Sequence, residues 1–224
     1  KNFIDQFIYT TEHKYNKLVN RYNKFIQERS KILINNNHDE SWLNQLEKSI
    51  SADALQIYLL RESQITVLIN YLNTYLKDFY LPFTLDSKLI DKFYYSNISH
   101  QDYETKLKDN RKIDSLVGGC RIGPHKSDYL FYVNNNSNVS QLSTGQQKTI
   151  ILLMYLSQCK YLSKEKFKKP ILLLDEVCSH LDDVNRNILL TLVETFRLQI
   201  FMTGTSENLF SFLSTKTNFC NITD

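Results

Sequence analysis

Glycine is scarce in this chain, five residues in 224, and none of the five precedes position 118. The backbone geometries that only glycine adopts freely are therefore confined to the second half, and chemistry is to be sought there. Cysteine is sparse too. Cys120, Cys159, Cys178 and Cys220 lie far apart, no C-x-x-C pair occurs, and a chain of this length does not depend on disulfide staples. That excludes a disulfide scaffold and favours a reducing cytoplasm. The longest apolar run, Ile150 to Leu156, has seven residues, against roughly 20 for a membrane-spanning helix. No transmembrane segment and no membrane partner are expected. Lys1-Asn2-Phe3 offers neither an initiating methionine nor a charged-then-apolar leader, so a fragment of a longer polypeptide is expected. What is present, 42% apolar and 23% charged residues, excludes general disorder and suits one globular domain with or without an appendage.

The net charge of +3 is too small to argue for nucleic acid, but its distribution is uneven. Lys1 to Leu33 carries seven Lys/Arg against three Asp/Glu, Ile34 to Leu116 nine against twelve, and Val117 to Asp224 eleven against nine. In the basic opening stretch, Tyr15, Leu18, Val19, Tyr22, Phe25, Ile26, Ile32 and Leu33 follow helical spacing, and Lys14, Lys17, Arg21, Lys24 and Lys31 fall off that stripe. Asp39 or Ser41 can cap a second helix that carries Trp42, Leu43, Leu46 and Ile50 and continues to Phe79, so two long antiparallel helices are expected. Tyr22, Phe25, Tyr71 and Tyr75 recur at helical spacing and read as core rather than as base-stacking platforms. After Pro82, Lys88 to Tyr95 reads as a strand and Gln101 to Ser115 as a polar helix. Beyond the diglycine at Gly118, a strand over Tyr129 to Val133 ends in an asparagine turn, and Gln146 to Leu162 is helical. Ile171 to Leu174 reads as a strand buried on both faces, Asn185 to Phe196 as a helix and Gln199 to Met202 as a second buried strand. Helix, strand, helix and strand with short links imply parallel pairing in an α/β layer.

The first of these strands delivers Asp175 and Glu176 at its carboxyl end, where ligands of open α/β sheets bind. Two adjacent carboxylates there suit Mg²⁺ on the aspartate and a water-activating role for the glutamate, beside the plainer reading of a helix cap with a surface acid. Upstream, Gln141-Leu142-Ser143-Thr144-Gly145-Gln146-Gln147-Lys148 sets a serine and a glycine at a helix start, where backbone amides, a hydroxyl and the helix dipole can receive a phosphate. An ordinary capped helix is the alternative. Ser179-His180-Leu181-Asp182-Asp183 follows the acidic pair, and Thr203-Gly204-Thr205 ends the next strand. Cys120 with His125, and Cys178 with His180, lack the ligand spacing of a zinc finger or ribbon.

In order and spacing these segments resemble the second half of an ABC-type ATPase: signature loop, Walker B strand, D-loop and the switch after the following strand. The details L-S-T-G-Q-Q-K, the preceding Gly123-Pro124-His125-Lys126-Ser127-Asp128, L-L-L-D-E-V-C-S-H-L-D and Q-I-F-M-T-G-T resemble the RecF family of bacterial recombination-repair ATPases. The likeness is strong from Gly118 to Thr205 and looser before, where Phe3-Ile4-Asp5-Gln6 and a basic helix resemble the start of that family's helical arm. It implies an α/β fold, the C-terminal half of an ABC/SMC-type ATPase head over residues 85–224, with an inserted α-helical arm over residues 1–84. It implies an ATP-dependent homodimer in which Ser143, Gly145 and Gln146 meet the γ-phosphate of the opposite subunit's ATP. Asp175 would bind Mg²⁺, Glu176 would be catalytic, Asp182 would face the dimer interface, and Thr203 would replace the histidine switch of transporter ATPases.

The resemblance further implies binding of single-stranded and gapped duplex DNA in recombinational repair, replication restart and the SOS response to DNA damage, with RecO- and RecR-like partners in the cytoplasm. Lys14, Lys17, Arg21, Lys24 and Lys126 are the candidate DNA contacts, although a solvated helix face has the same pattern. Lys160, Lys164, Lys166, Lys168 and Lys169 around Glu165 read as a solubilising loop. The resemblance implies a weak ATPase; the chief departure is that no G-x-x-x-x-G-K-[ST] occurs, so the phosphate-cradling loop is missing and this chain alone is expected to hold ATP poorly. Another SMC-like or ABC-type ATPase with a different cargo, or a non-catalytic interaction module, are the alternatives.

Overall fold

Three helices open the chain: α1 (Asn2–Thr11), α2 (Tyr15–Ile34) and α3 (Glu40–Asp78). The computed structural model describes residues 2–35, 39–78, 83–95, 97–176, 186–187, 191, 198–211, 213 and 217–221. The two long helices anticipated from periodicity are α2 and α3. The opening segment adds α1, because Ile4, Phe7 and Ile8 stand at i, i+3 and i+4 and all bury completely. Asp39 caps α3, its Oδ1 accepting the amide hydrogens of Ser41 at 2.7 Å and Trp42 at 3.3 Å.

Next come β1 (Leu85–Ile90), α4 (His100–Asp109), α5 (Arg111–Val117), β2 (Asp128–Val133) and β3 (Ser137–Asn138). Strand β1 stops five residues short of the expected Tyr95. Asp91 Oδ1 accepts the amide hydrogens of Phe93 and Tyr94, both at 2.8 Å, and this local turn takes those donors away from any ladder. The single polar helix expected over Gln101 to Ser115 is two, α4 and α5. Asn110 ends one and begins the other, its side-chain amide donating to Lys106 O while its own carbonyl accepts from Asp114 N–H, each at 2.8 Å. Asn134 and Asn135 both have positive φ, 51° and 59°, and form the tight turn from β2 to β3. The sheet order is β1-β2-β3.

The remaining elements are α6 (Thr144–Glu165), β4 (Ile171–Leu174) and β5 (Gln199–Met202). Strands β4 and β5 pair in parallel, Ile171 opposite Gln199 through Leu174 opposite Met202. Burial on both faces is not what β4 shows. Leu172 and Leu174 face inward, whereas Ile171 is 56% and Leu173 72% exposed, because successive strand residues point to opposite faces and the outer face of this pair is open. The helix expected over Asn185 to Phe196 lies mostly outside the described residues.

The contacts divide into two units, 1–67 with 86–131 and 68–85 with 132–224. Within the first unit, two buried arginines tie the helices together. Arg29, fully buried on α2, donates to Glu47 of α3 at 2.9 Å, to Asp114 of α5 at 2.7 Å and to Leu107 O at 2.7 Å. Arg111 extends this network through Glu47, Glu40 and Asn44. Arg61 of α3 pairs with Asp5 of α1, at 2.8 Å from Nε and 2.9 Å from Nη2, and also donates to Pro124 O at 2.6 Å and Ser127 Oγ at 3.1 Å. In the second unit α6 buries Ile150, Leu153, Leu156, Cys159 and Leu162 among others, and Asn73 brackets Leu85 through its amide and carbonyl at 2.8 Å each. Cys120 and Cys159 are free thiols, each pushed up to about 11 with burial the leading cause, and Cys220 is free and exposed. Cys178 lies outside the described residues. Among the described residues no helix is long and apolar enough to cross a membrane.

Candidate functional site

The parallel register of β4 and β5 brings their carboxyl ends level, so Asp175 and Thr203 emerge side by side. The Thr203 hydroxyl donates to Asp175 Oδ1 at 2.5 Å and accepts the Glu176 amide hydrogen at 3.0 Å, while Thr203 N–H donates to Leu174 O at 3.0 Å. One side chain thus links the two strand ends and both acidic residues. Glu176 has φ +50°, a left-handed conformation in which a residue with a Cβ is strained. All three residues are exposed. Their oxygens are the hard donors that Mg²⁺ prefers, and such a site, with only one or two protein carboxylates, leaves the remaining positions to water and phosphate. The donor set fits the ion. Among the described residues no cluster of three or more His, Cys, Asp or Glu is placed to hold a metal by protein groups alone.

Gly204 fits this end of the sheet for a steric reason. A Cβ there would lie 2.7 Å from Cζ and 2.9 Å from Cε2 of Phe210, a ring that is buried and packs edge-on to Phe219 at 6.2 Å. Gly204→Ala is expected to destabilise the chain by about 1–3 kcal/mol, the usual cost of overpacking. A urea midpoint unchanged from that of the parent chain would contradict this.

At the start of α6, Ser143 and Gln146 form a reciprocal capping box. Ser143 Oγ accepts from Gln146 N–H at 3.3 Å and Gln146 Oε1 accepts from Ser143 N–H at 3.1 Å. Gln147 Nε2 braces the preceding loop through Leu142 O at 2.9 Å and Ser140 O at 3.2 Å. The first intrahelical bond is Gln147 N–H to Ser143 O, so the amides of Thr144 and Gly145 belong to the first-turn donors that a helix leaves to a ligand or water. A Cβ at Gly145 would meet nothing within 4 Å, so the absence of a side chain there serves no packing need of this chain.

Of the candidate DNA contacts, Lys14, Lys17 and Lys24 are exposed on α2. Arg21 is exposed on the same helix but forms a two-pronged pair with Asp53, at 2.6 and 2.8 Å. Lys126 is exposed in the loop after Gly123, and its amide donates to Gly123 O at 2.8 Å. His125 is committed within the fold, Nε2 donating to Cys120 O at 2.9 Å and Nδ1 standing 2.7 Å from the Tyr22 hydroxyl. Gly123 is forced here, since a Cβ would lie 2.1 Å from that hydroxyl and φ is +127°. Tyr22 is buried as core, as expected. Tyr75's side chain and Asp182 lie outside the described residues.

Parallel strands ending in linked acidic residues, and a helix that opens on a capped Ser-Thr-Gly-Gln turn, belong to a mixed helix-and-sheet fold that matches a solved RecF structure. No protein-family model matches the chain. The DNA replication and repair protein RecF of Rickettsia bellii is 31% identical over 212 residues, covering 92% of this chain and 58% of that protein. RecF of Rhizobium etli is 25% identical over 231 residues, covering 100% of this chain and 61% of that protein. Among solved structures, the recombination mediator protein RecF-ATP superposes with a TM-score of 0.79 at 23% identity, over 92% of this chain and 57% of that one. The chain is similar to RecF proteins over nearly all of its own length, and it spans about three fifths of the length of the relatives it matches.

Proposed function

We propose that this chain is the later part of an ATP-gated DNA-binding protein of recombinational repair. In this reading residues 1–84 form the arm and 85–224 the later half of the head, acting in the cytoplasm as a homodimer on single-stranded and gapped DNA with RecO- and RecR-like partners. The observation that carries it is the Thr203 bridge to Asp175 and Glu176 at the level ends of β4 and β5. It fixes one carboxylate where Mg²⁺ is expected and the next where a water can be deprotonated. Bound MgATP supplies the phosphoanhydride whose cleavage resets the clamp. The chain's own residues hold and orient it. The Ser143 hydroxyl accepts from Gln146 N–H and so keeps its own hydrogen to give to a phosphate oxygen, and the open space at Gly145 lets that oxygen approach the first-turn amides. Asp182 is assigned to the dimer interface on the resemblance alone. The nucleotide's principal cradle, G-x-x-x-x-G-K-[ST], is not in this sequence, and the assignment of Ser143, Gly145 and Gln146 to the opposite subunit's nucleotide rests on the family resemblance.

The test uses the polypeptide that carries the phosphate loop together with this chain. Light scattering should show a dimer fraction that rises with ATP, and gapped DNA should outcompete fully duplex DNA. Equal competition by the two DNAs would instead favour an ABC-type ATPase with another cargo, and a monomer indifferent to ATP would sink the clamp.

A further inference from the structure

Between α6 and β4 the chain reads Ser163-Lys164-Glu165-Lys166-Phe167-Lys168-Lys169-Pro170. Phe167 is 90% exposed, so its ring gains almost nothing from burial. Its φ is +51°, a conformation that costs energy for any residue with a Cβ, in the place just past a helix end that glycine ordinarily takes. The turn is fixed in this form, since Lys168 N–H donates to Leu162 O at 3.0 Å. A loop that served only to keep the chain in solution has no use for a bare aromatic ring held out on a strained backbone.

The surroundings are strongly cationic. Lys164, Lys168 and Lys169 are exposed in the same loop. The one acidic residue of the segment, Glu165, accepts a hydrogen bond from the Tyr71 hydroxyl. Tyr71 meets Tyr161 edge to face at 5.4 Å, and Lys166 Nζ stands 6.0 Å from the centre of the Tyr161 ring, so one flank of the loop is braced against α3 and α6. Partial burial, and after it the charge of Lys164, hold the Lys160 ammonium down at about 8. Several lysines in one loop with an exposed aromatic ring are the combination that single-stranded nucleic acids bind, phosphates on the cations and a base on the ring.

We propose that this loop is a single-strand nucleic-acid contact in which Phe167 stacks on a base and Lys164, Lys168 and Lys169 neutralise phosphates. The proposal rests on the DNA-binding reading above and adds a site to it in the second unit. An acidic polypeptide would be drawn to the same lysines but has no need of the ring.

The decisive variant is Phe167→Gly, in which binding and stability are expected to move in opposite directions. Relief of the left-handed strain raises the thermal midpoint, so loss of fold cannot imitate loss of binding. With the full chain and a fluorescein-labelled oligo-dT strand, anisotropy should show affinity falling about tenfold, equivalent to about 1.4 kcal/mol, within the range for one stacked base. Affinity for a duplex of the same length should barely change. A 2-aminopurine base placed in the strand should be quenched by the parent chain and not by the variant. Lys168→Ala with Lys169→Ala should reduce the slope of log affinity against log salt by about 1.4, roughly 0.7 for each lost phosphate contact. If the parent chain binds the strand and Phe167→Gly binds it equally, this site is wrong and the DNA reading survives. If the parent chain binds neither strand nor duplex, both are wrong. If polyglutamate competes as well as oligo-dT and Phe167→Gly leaves its binding unchanged, the loop takes an acidic polypeptide and the proposal is overturned.

Discussion

Arg29→Ala is expected to lower the unfolding free energy by about 3–5 kcal/mol, the range for removing one partner of a buried ion pair. Arg29 has no exposed surface, and its guanidinium satisfies Glu47, Asp114 and the Leu107 carbonyl together. Alanine would leave Asp114 facing a cavity, with the Arg121 N–H at 3.0 Å and the Cys120 thiol still beside it. Glu47 would be less affected, because Arg111 also reaches it at 2.6 Å. Asymmetry of this kind predicts partial relief from a second change: Asp114→Asn in the Arg29→Ala background should recover part of the loss, since a neutral amide is cheaper to bury unpaired than a carboxylate. Arg29→Lys should remain well below the parent chain, because a single ammonium cannot reproduce three donors in fixed fork geometry. Guanidinium denaturation followed by circular dichroism measures all three. A loss under about 1 kcal/mol for Arg29→Ala, the value typical of exposed pairs, would contradict the network.

The second large effect concerns Glu176. In the polypeptide that includes the phosphate loop, Glu176→Gln is expected to slow ATP turnover by about 10²–10⁴-fold, the usual contribution of a general base. Glutamine keeps the shape of the side chain and cannot accept a proton. One contact on the residue comes from its backbone, through Glu176 N–H to Thr203 Oγ, and the substitution does not touch it. Nucleotide-dependent dimerisation should therefore persist and DNA binding should strengthen, because the closed form accumulates. Phosphate release and light scattering on the same sample separate these effects. Turnover within about threefold of the parent would remove Glu176 from the chemistry, a loss far below that expected of a general base.

Much of the site was legible because it is written in short segments. A run of four apolar residues ending in two acids, and a later run ending in Thr-Gly-Thr, give strand ends whose alignment follows once the two strands pair in parallel. The Ser-x-x-Gln spacing likewise signals a capping box, and Ser143 and Gln146 form one. What escaped was anything that depends on which charges go inside. Arg29 stands seven residues beyond Tyr22, on the buried stripe of α2, yet a pattern that counts only apolar letters passes over it. An arginine in phase with a buried stripe was the available signal. Asn110 was equally silent: its division of one helix into α4 and α5 depends on a side-chain amide finding the Lys106 carbonyl, and composition does not reveal that. The open outer face of β4 was misjudged because a continuous apolar run does not say whether one sheet face or two are covered.

The Arg29 network also dictates when the first unit can be completed during synthesis. Asp114 follows Arg29 by 85 residues, an interval of roughly 4–17 s at ribosomal speeds of about 5–20 residues per second. Until it emerges, Glu47 of α3 is the one carboxylate of the pair available to Arg29, and the side that α5 later covers has to remain wet. The nascent chain therefore waits for its own α5, and a ribosome stalled before residue 114 displays α2 and α3 without the second carboxylate of the network.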